Sequence, residues 1–416
     1  MIKKEIRLEV FIKYSMKILI ITQYFYPENL RINDLSFSLQ KRGHDISVLT
    51  AKPNYPKGKI YPGYSFFNKG FETINKIRVY RSNIIPRGSG SGFRLFLNYI
   101  SFVILGFIKL LSIKEKYDTI LVYAPSPITV GFLGIFAKYK FKVKPHLWVH
   151  DLWPESVKVA GGINNRMIIY IIDLMTRLIY YFYDSILVQS PRFEEYLTSQ
   201  GVIKNKIKYY PYYAEDFYKI VDEKTNIKNK FPTGLNILFA GNIGVAQSFD
   251  TIIEAVKIAS EKIKSLNIII LGDGRDKDRV QKKIHKMGLS KNFKFLGSYP
   301  PEEMSYFFAS SDALLVTLKK STIFSLTIPG KLQSYLACGK PIIGSVDGIA
   351  SDIINIGKCG FATKSEDHES LASSIIKFDE LGYKERSKLG LNSRKYFERE
   401  FDKEKLLDKL IDIIKI

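Results

Sequence analysis

Two successive trains of short apolar runs, each run separated from the next by an amphipathic segment, constrain this chain most: they are the pattern of a parallel sheet covered on both faces. In the first half KILIITQYF (17–25), DISVLTA (45–51), DTILVYA (118–124), HLWVHD (146–151) and SILVQS (185–190) read as buried strands. In the second half LNILFAG (235–241), LNIIILG (266–272), FKFLG (293–297), ALLVT (313–317) and PIIGS (341–345) repeat the pattern, with helices predicted over 249–263, 276–287, 301–309, 330–338 and 366–380. A helix from Asp34 to Arg42 is predicted to stop at Gly43, the residue type that best adopts a left-handed stop. With 416 residues the chain exceeds the roughly 250–300 at which a single core stops growing. The expectation is α/β, two doubly wound Rossmann-like domains facing each other across a cleft. The first covers 16–218 and the second 235–400. The polar, lysine-rich 219–234 reads as a linker, and a C-terminal helix over 401–416 is expected to pack back on the first domain.

Composition excludes several classes. There are only two cysteines, Cys338 and Cys359, and no Cys/His cluster, so neither a disulfide framework nor a structural zinc site is expected; a reducing cytoplasm fits. The opening MIKKEIRLEVFIKYS mixes acids with bases and lacks a long apolar run, so 1–15 reads as an extension ahead of Met16 and not as a signal peptide. The net charge is +22, and within 41–117 fourteen Lys/Arg face only Asp45, Glu72 and Glu115. Such a surface attracts phosphate groups of nucleic acid or of anionic lipid. No nucleic-acid reader motif accompanies it, which argues against nucleic acid. Segment 95–113 carries a single charge, Lys109, but Asn98, Ser101, Lys109 and Ser112 share one narrow helical stripe. It therefore reads as a core or membrane-surface helix, with Arg87, Arg94, Lys114 and Lys116 favouring the lipid interface. Segment 166–183, with Arg166, Asp173, Arg177 and Asp184 among Ile, Tyr and Leu, is expected to bury its apolar side against the domain core.

Three constellations carry candidate chemistry. Gly241-Asn242-Ile243-Gly244 and Gly272-Asp273-Gly274-Arg275 follow strands of the second half, where glycine lets backbone amides approach a phosphate. Neither is a full dinucleotide fingerprint, and a turn without a ligand remains open for each. His150-Asp151-Leu152-Trp153-Pro154-Glu155 places an imidazole, carboxylates and an aromatic at the mouth of a sheet; the carboxylates serve either as loop caps or as acid/base groups. Finally Lys319 precedes Ile328-Pro329-Gly330-Lys331, where a proline and a glycine open a helix whose free amides, with Lys331, can hold a diphosphate.

In order and spacing these motifs resemble the family-four glycosyltransferases of the GT-B fold, and among them the N-acetyl-L-fucosamine transferase type of O-antigen and capsule assembly. The carriers are MKILIITQYFYPENLRINDLSFSLQKRGHDISVLTAKPNYPKG (16–58), WVHDLWPES (148–156), FAGNIGVAQSFDTIIEA (239–255), IIILGDGRDKD (268–278), FKFLGSYPPEEM (293–304) and TIPGKLQSYLACGKPII (327–343). The resemblance implies a retaining enzyme that moves a sugar, here an N-acetylated amino or deoxy sugar, from a UDP-sugar to an acceptor. It implies that His150 meets the donor sugar and that Lys331 neutralises the diphosphate, and Asp151 beside His150 completes the catalytic candidates. Gly241, Asn242, Gly244, Gly272, Gly274, Arg275, Gly297, Lys319 and Ser334 would line the nucleotide, and Glu28, Asn29, Arg31 and Glu155 the acceptor. No metal and no cofactor are expected.

The chain departs from that pattern in three places. Leu326 and Ser334 stand where many members carry paired glutamates, Asn242 and Gln247 where a basic pair is common, and Pro27-Glu28-Asn29-Leu30-Arg31 replaces a glycine-rich acceptor loop. A sugar-nucleotide epimerase or a non-catalytic nucleotide-sugar-binding subunit is the alternative. The basic and apolar 41–117 region adds the expectation of a polyprenyl-diphosphate-linked saccharide as acceptor, met on the anionic inner face of the cell membrane.

Overall fold

The computed structural model describes residues 15–161 and 165–415. The expected extension, 1–15, lies outside them except for Ser15, whose hydroxyl donates to the Gly43 carbonyl at 2.7 Å. The chain divides into two compact units, one running to Tyr210 and resuming at Leu407, the other Pro211–Leu406.

The first unit holds β1 (Lys17–Ile21), β2 (Asp45–Ala51), β3 (Phe71–Ile74), β4 (Ile77–Ser82), β5 (Thr119–Ala124), β6 (Pro145–Val149), β7 (Ser185–Val188) and β8 (Ile207–Tyr209). They form one sheet in the order β3-β4-β2-β1-β5-β6-β7-β8, parallel except for the β3–β4 hairpin. The hairpin turns on Asn75 and Lys76, both at positive φ (48° and 68°), the geometry that matches strand twist. The helix after β1, Arg31–Lys41, stops at Gly43 (φ 91°), whose N–H bonds the Gln40 carbonyl. The strand order reverses between β1 and β5, where in an open α/β sheet a crevice forms at the strands' carboxyl ends.

The second unit holds β9 (Leu235–Ala240), β10 (Leu266–Leu271), β11 (Phe293–Gly297), β12 (Ala313–Thr317), β13 (Ile342–Ser345) and β14 (Gly360–Thr363), all parallel in the order β11-β10-β9-β12-β13-β14. Counted within the unit this is 3-2-1-4-5-6, the dinucleotide-fold order, with its switch point between β9 and β12. Strands β9, β10 and β12 are buried throughout, and two apolar clusters cover the sheet, one around Phe307, Leu332 and Tyr335, the other around Phe239, Ile252 and Phe378. Helices Phe249–Lys262, Lys277–Lys286, Met304–Ala309, Gly330–Ala337 and His368–Glu380 fall close to their predicted spans.

Two expectations are corrected here. Residues 219–234 are not a free connector: Ile227 is buried in the second unit's core and Phe231 packs against it, so the division falls after Tyr210. Helix Arg166–Phe182 does not bury its apolar side against the core. Thr176, Ile179 and Tyr180 point inward, while Met167, Ile171, Leu174, Leu178 and Tyr181 are exposed. At the C-terminus, helix Lys403–Ile414 contributes Asp408 to an ion pair with Arg42 of the first unit at 2.6 Å.

Candidate functional site

In the second unit the loops after β9, β10, β11 and β12 are tied to one another by their backbones. The Gly241 N–H donates to the Leu271 carbonyl at 2.9 Å and the Gly272 N–H to the Gly297 carbonyl at 2.8 Å. The approach is so close that a Cβ on Gly272, itself at φ 133°, would lie 2.0 Å from the Gly241 oxygen. Across the switch point the Lys319 N–H donates to the Ala246 carbonyl at 2.9 Å, and the Thr317 hydroxyl to the Gln247 carbonyl at 2.6 Å.

Into this platform reaches Lys331. Helix Gly330–Ala337 opens on Pro329, which supplies no side-chain cap. The helix is locked to the end of β9 by the Tyr335 hydroxyl, which accepts from the Ala240 N–H at 2.9 Å. Lys331 Nζ donates to Gln247 Oε1 at 2.6 Å and stands 3.9 Å from the centroid of the Phe239 ring. It would be 3.3 Å from a Cβ on Gly241, so it borders the first glycine loop directly. Loss of hydration pulls its pKa down from 10.5 to about 7. A lysine held half-neutral beside glycine loops, at a helix N-terminus without a side-chain cap, would regain its charge if an anion supplied the missing counter-charge.

Other second-unit candidates sit differently. Asn242 and Arg275 are exposed, and Gly274 packs so tightly on Ile243 that a Cβ would lie 2.1 Å from its carbonyl oxygen. A Cβ on Gly244 would meet Asn242 Nδ2 at 2.6 Å. Ser334 is buried, its hydroxyl turned back to the Gly330 carbonyl at 3.4 Å within its own helix. Gln247, which the sequence offered only as a replacement for a basic residue, is the side chain that positions Lys331.

In the first unit the carboxyl edge gathers a different set. His150, at the end of β6, is buried with Tyr123 and Trp148, each ring 4.5 Å away, and its N–H bonds the Ala124 carbonyl. Burial, helped by the charge of Arg31, holds its pKa well below 6.5, so it is a neutral imidazole able to exchange hydrogen bonds with hydroxyls. Asp151 is pushed up to about 6 by burial, against the opposing bond from the Ser126 hydroxyl. Tyr99, Ser126 and Arg87 belong to the same cluster, because Tyr99 senses both the Arg87 cation and the Asp151 carboxyl. Arg87 lies 5.0 Å from the Tyr55 ring, which in turn meets Tyr24 at 5.4 Å. Tyr24, Tyr55 and Tyr99 carried no sequence signal, since they come from separate segments, and Arg87, expected at a lipid interface, stands instead beside Tyr55 and Tyr99.

Glu28, expected at the acceptor, serves in this structure as a staple between two loops. Its carboxylate is buried and accepts from the N–H groups of Asn54 and Tyr55 at 2.7 Å each and of Phe25 at 3.1 Å. Burial raises its pKa to about 7 against those three donors. Asn29 is exposed and Arg31 half-buried. Glu155 lines a groove of about 450 Å³ with Arg166, Tyr170 and Tyr196, and pairs with Lys158 at 2.8 Å. Among the described residues no group of three or more His, Cys, Asp or Glu side chains converges on a point where a metal ion could sit.

Two doubly wound units in succession are the architecture of the GT-B fold. Residues 221–396 match the family model for glycosyl transferases group 1, and residues 29–212 that for a glycosyl transferase 4-like domain. The chain belongs to the group 1 glycosyltransferases and is an enzyme of that class. It is 23% identical over 424 residues to the putative colanic acid biosynthesis glycosyl transferase WcaI of Escherichia coli K12, covering 96% of this chain and 100% of that one. Among solved structures the fold matches sucrose-phosphate synthase of Thermosynechococcus elongatus with a TM-score of 0.74 at 16% identity, covering 96% of this chain and 98% of that one. HepE of Anabaena in complex with UDP gives a TM-score of 0.68 at 15% identity, over 95% and 99% of the two chains.

Proposed function

We propose that this glycosyltransferase moves an N-acetylated amino or deoxy sugar from a UDP-sugar to a polyprenyl-diphosphate-linked saccharide, with retained anomeric configuration, in the assembly of a surface polysaccharide such as O-antigen or capsule. The observation that carries the reading is Lys331, desolvated over Phe239 and bonded to Gln247 at the switch point of the second unit. A diphosphate there gives the lysine a counter-charge that offsets its lost hydration, while the glycine-loop amides and Lys319 meet the remaining oxygens. The UDP bound by HepE, and the polysaccharide role in the name of WcaI, support the donor class and the pathway class respectively.

In the reaction the bond from the anomeric carbon to the diphosphate oxygen breaks while the acceptor hydroxyl attacks from the same face. The departing phosphate oxygen takes the acceptor's proton. No covalent nucleophile is needed; the protein contributes position and charge stabilisation. Lys331 and the helix amides receive the charge that develops on the leaving group, so no metal or other cofactor is called for. Neutral His150 bonds sugar hydroxyls. Asp151, Arg87 and Tyr99 form the acceptor side of the first unit, and the enzyme works at the cytoplasmic face of the cell membrane.

Thermal unfolding of the purified chain with UDP, GDP, ADP, dTDP and no nucleotide tests the donor, because a ligand of the folded state raises the midpoint by mass action. A rise with UDP alone, lost in Lys331→Ala, is expected; no rise with any nucleotide at millimolar concentration refutes the assignment. Turnover unchanged in both His150→Ala and Lys331→Ala would refute the site.

A further inference from the structure

Outside the switch-point sites, the first unit carries an apolar surface that is exposed among the described residues. Helix Gly92–Ser112 exposes Phe93, Phe96, Ile100, Ile104, Ile108 and Leu111, spaced three and four apart along one stripe. The opposite stripe, Asn98, Phe102, Gly106 and Leu110, is buried. Helix Arg166–Phe182 exposes Met167, Ile171, Leu174, Leu178 and Tyr181 at the same spacing, Met167 to 72% and Tyr181 to 73%. Helix Gly131–Phe141, with exposed Phe136 and Tyr139, joins the two. Phe107 meets Phe136 at 4.6 Å and Tyr139 meets Phe182 at 6.5 Å. Two glycines let the three helices form one layer. A Cβ on Gly106 would come within 2.8 Å of Leu133, and one on Gly131 within 2.6 Å of Ile179. A layer of three helices, the longest 21 residues, is roughly 30 Å by 30 Å, larger than the patches monomeric proteins ordinarily leave bare.

We infer that this three-helix face lies flat on an anionic bilayer, embedding its apolar stripes at the boundary of headgroups and acyl chains. The inference rests on the membrane-borne acceptor proposed above and extends it to a defined surface. Helix Gly92–Ser112 is long and apolar enough to cross a membrane, yet it is fastened along its length. Asn98 accepts from the Gln23 amide at 2.7 Å and donates to the Ile85 carbonyl at 2.6 Å, and Ser101 accepts from the Ile85 N–H at 3.0 Å. A helix anchored this way presents one side to lipid and does not span it. Charge selects a bilayer over a second copy of the chain. Residues 92–116, 131–144 and 166–182 carry ten Lys or Arg against Glu115 and Asp173, so two such faces would repel where an anionic surface attracts. Arg94, Lys114, Lys116, Lys142, Lys144 and Arg166 are exposed.

The test uses the full chain and sedimentation with vesicles of phosphatidylglycerol and phosphatidylcholine at low salt. Two double variants, Ile104→Asn with Ile108→Asn and Ile171→Asn with Leu174→Asn, change only exposed or half-exposed positions. Wild type is expected to sediment with the vesicles, and each double variant to partition at least tenfold less. Binding by the Ile171/Leu174 variant equal to wild type overturns the three-helix face, and so does absence of binding by wild type. A wild-type dimer in lipid-free solution that the same variants dissociate, with no vesicle binding, assigns the face to a second copy and also overturns it. The UDP-induced rise in unfolding midpoint separates the two readings. Retained while vesicle binding is lost, it leaves the transferase site intact; absent while vesicles still bind, it faults the donor site alone.

Discussion

Binding of UDP at the proposed site is expected to draw a proton onto Lys331. In the free protein burial sets its pKa at about 7, so at pH 8 about one molecule in eleven carries the charge. A diphosphate within hydrogen-bond reach favours the ammonium and lifts the pKa to about 9 or above. With the bound-state pKa at about 9, the bound state holds about 0.8 proton more than the free state at pH 8, and the apparent Kd weakens about fivefold between pH 7 and pH 8 and about fivefold again between pH 8 and pH 9. Titration calorimetry in phosphate and in Tris, buffers of very different ionisation enthalpy, reads the proton directly. Lys331→Arg is the control, since guanidinium stays charged across this range and exchanges none. Zero uptake by the wild type at pH 8, or equal uptake by the arginine variant, refutes the assignment of a desolvated lysine to the diphosphate.

Removing the same charge stabilises the empty enzyme. A lysine whose folded pKa lies below its unfolded value costs stability wherever the unfolded chain binds the extra proton, so Lys331→Met is expected to gain about 1–2 kcal/mol at pH 7 in chemical denaturation while losing the UDP response. A melting point below that of wild type counts against the argument. Glu28→Ala strands three backbone N–H groups and is expected to lose about 3 kcal/mol or more, measured by urea unfolding. Because burial raises the Glu28 pKa from 4.5 to about 7, its contribution to stability is present below about pH 4.5 and is lost as pH rises through 7, a slope that Glu28→Gln should flatten. Gly272→Ala places a methyl 2.0 Å from the Gly241 oxygen and is expected to lower stability by about 2–4 kcal/mol, together with UDP binding; a change within about 0.5 kcal/mol contradicts the close packing of the two loops.

The doubly wound architecture was legible because buried parallel strands write themselves as unbroken apolar runs. What escaped has a physical reason in each case. Strands β3 and β4 alternate charge with apolar residues at the sheet edge and turn on Asn75-Lys76, a pair without the glycine that usually marks such a turn. Strand β8 has three residues, and β14, Gly360–Thr363, is only half-buried. For helix Arg166–Phe182 the period was readable, but a 3.6-residue period says only that one side is apolar, never whether protein covers it. Lys331 stood out through Pro329-Gly330. Its partner Gln247 and the ring of Phe239 lie more than eighty residues earlier, and only tertiary structure brings them within 4 Å. Glu28 reads as a free carboxylate in sequence because the N–H groups that occupy it belong mostly to residues 54 and 55.

The polar stripe of helix Gly92–Ser112 links these observations. A buried asparagine in an apolar helix is costly unless its amide is fully engaged, and Asn98 is engaged at both ends. Its carbonyl takes the Gln23 amide from the loop after β1, and its N–H₂ holds the Ile85 carbonyl. The residue after Gln23 in that loop is Tyr24, whose ring meets Tyr55, and Tyr55 gives its N–H to Glu28. The exposed apolar side of that helix and the carboxyl edge of the sheet are therefore separated by a single shell of hydrogen bonds. With the bilayer seating inferred above, a displacement of the helix has to carry those loops with it or break buried hydrogen bonds.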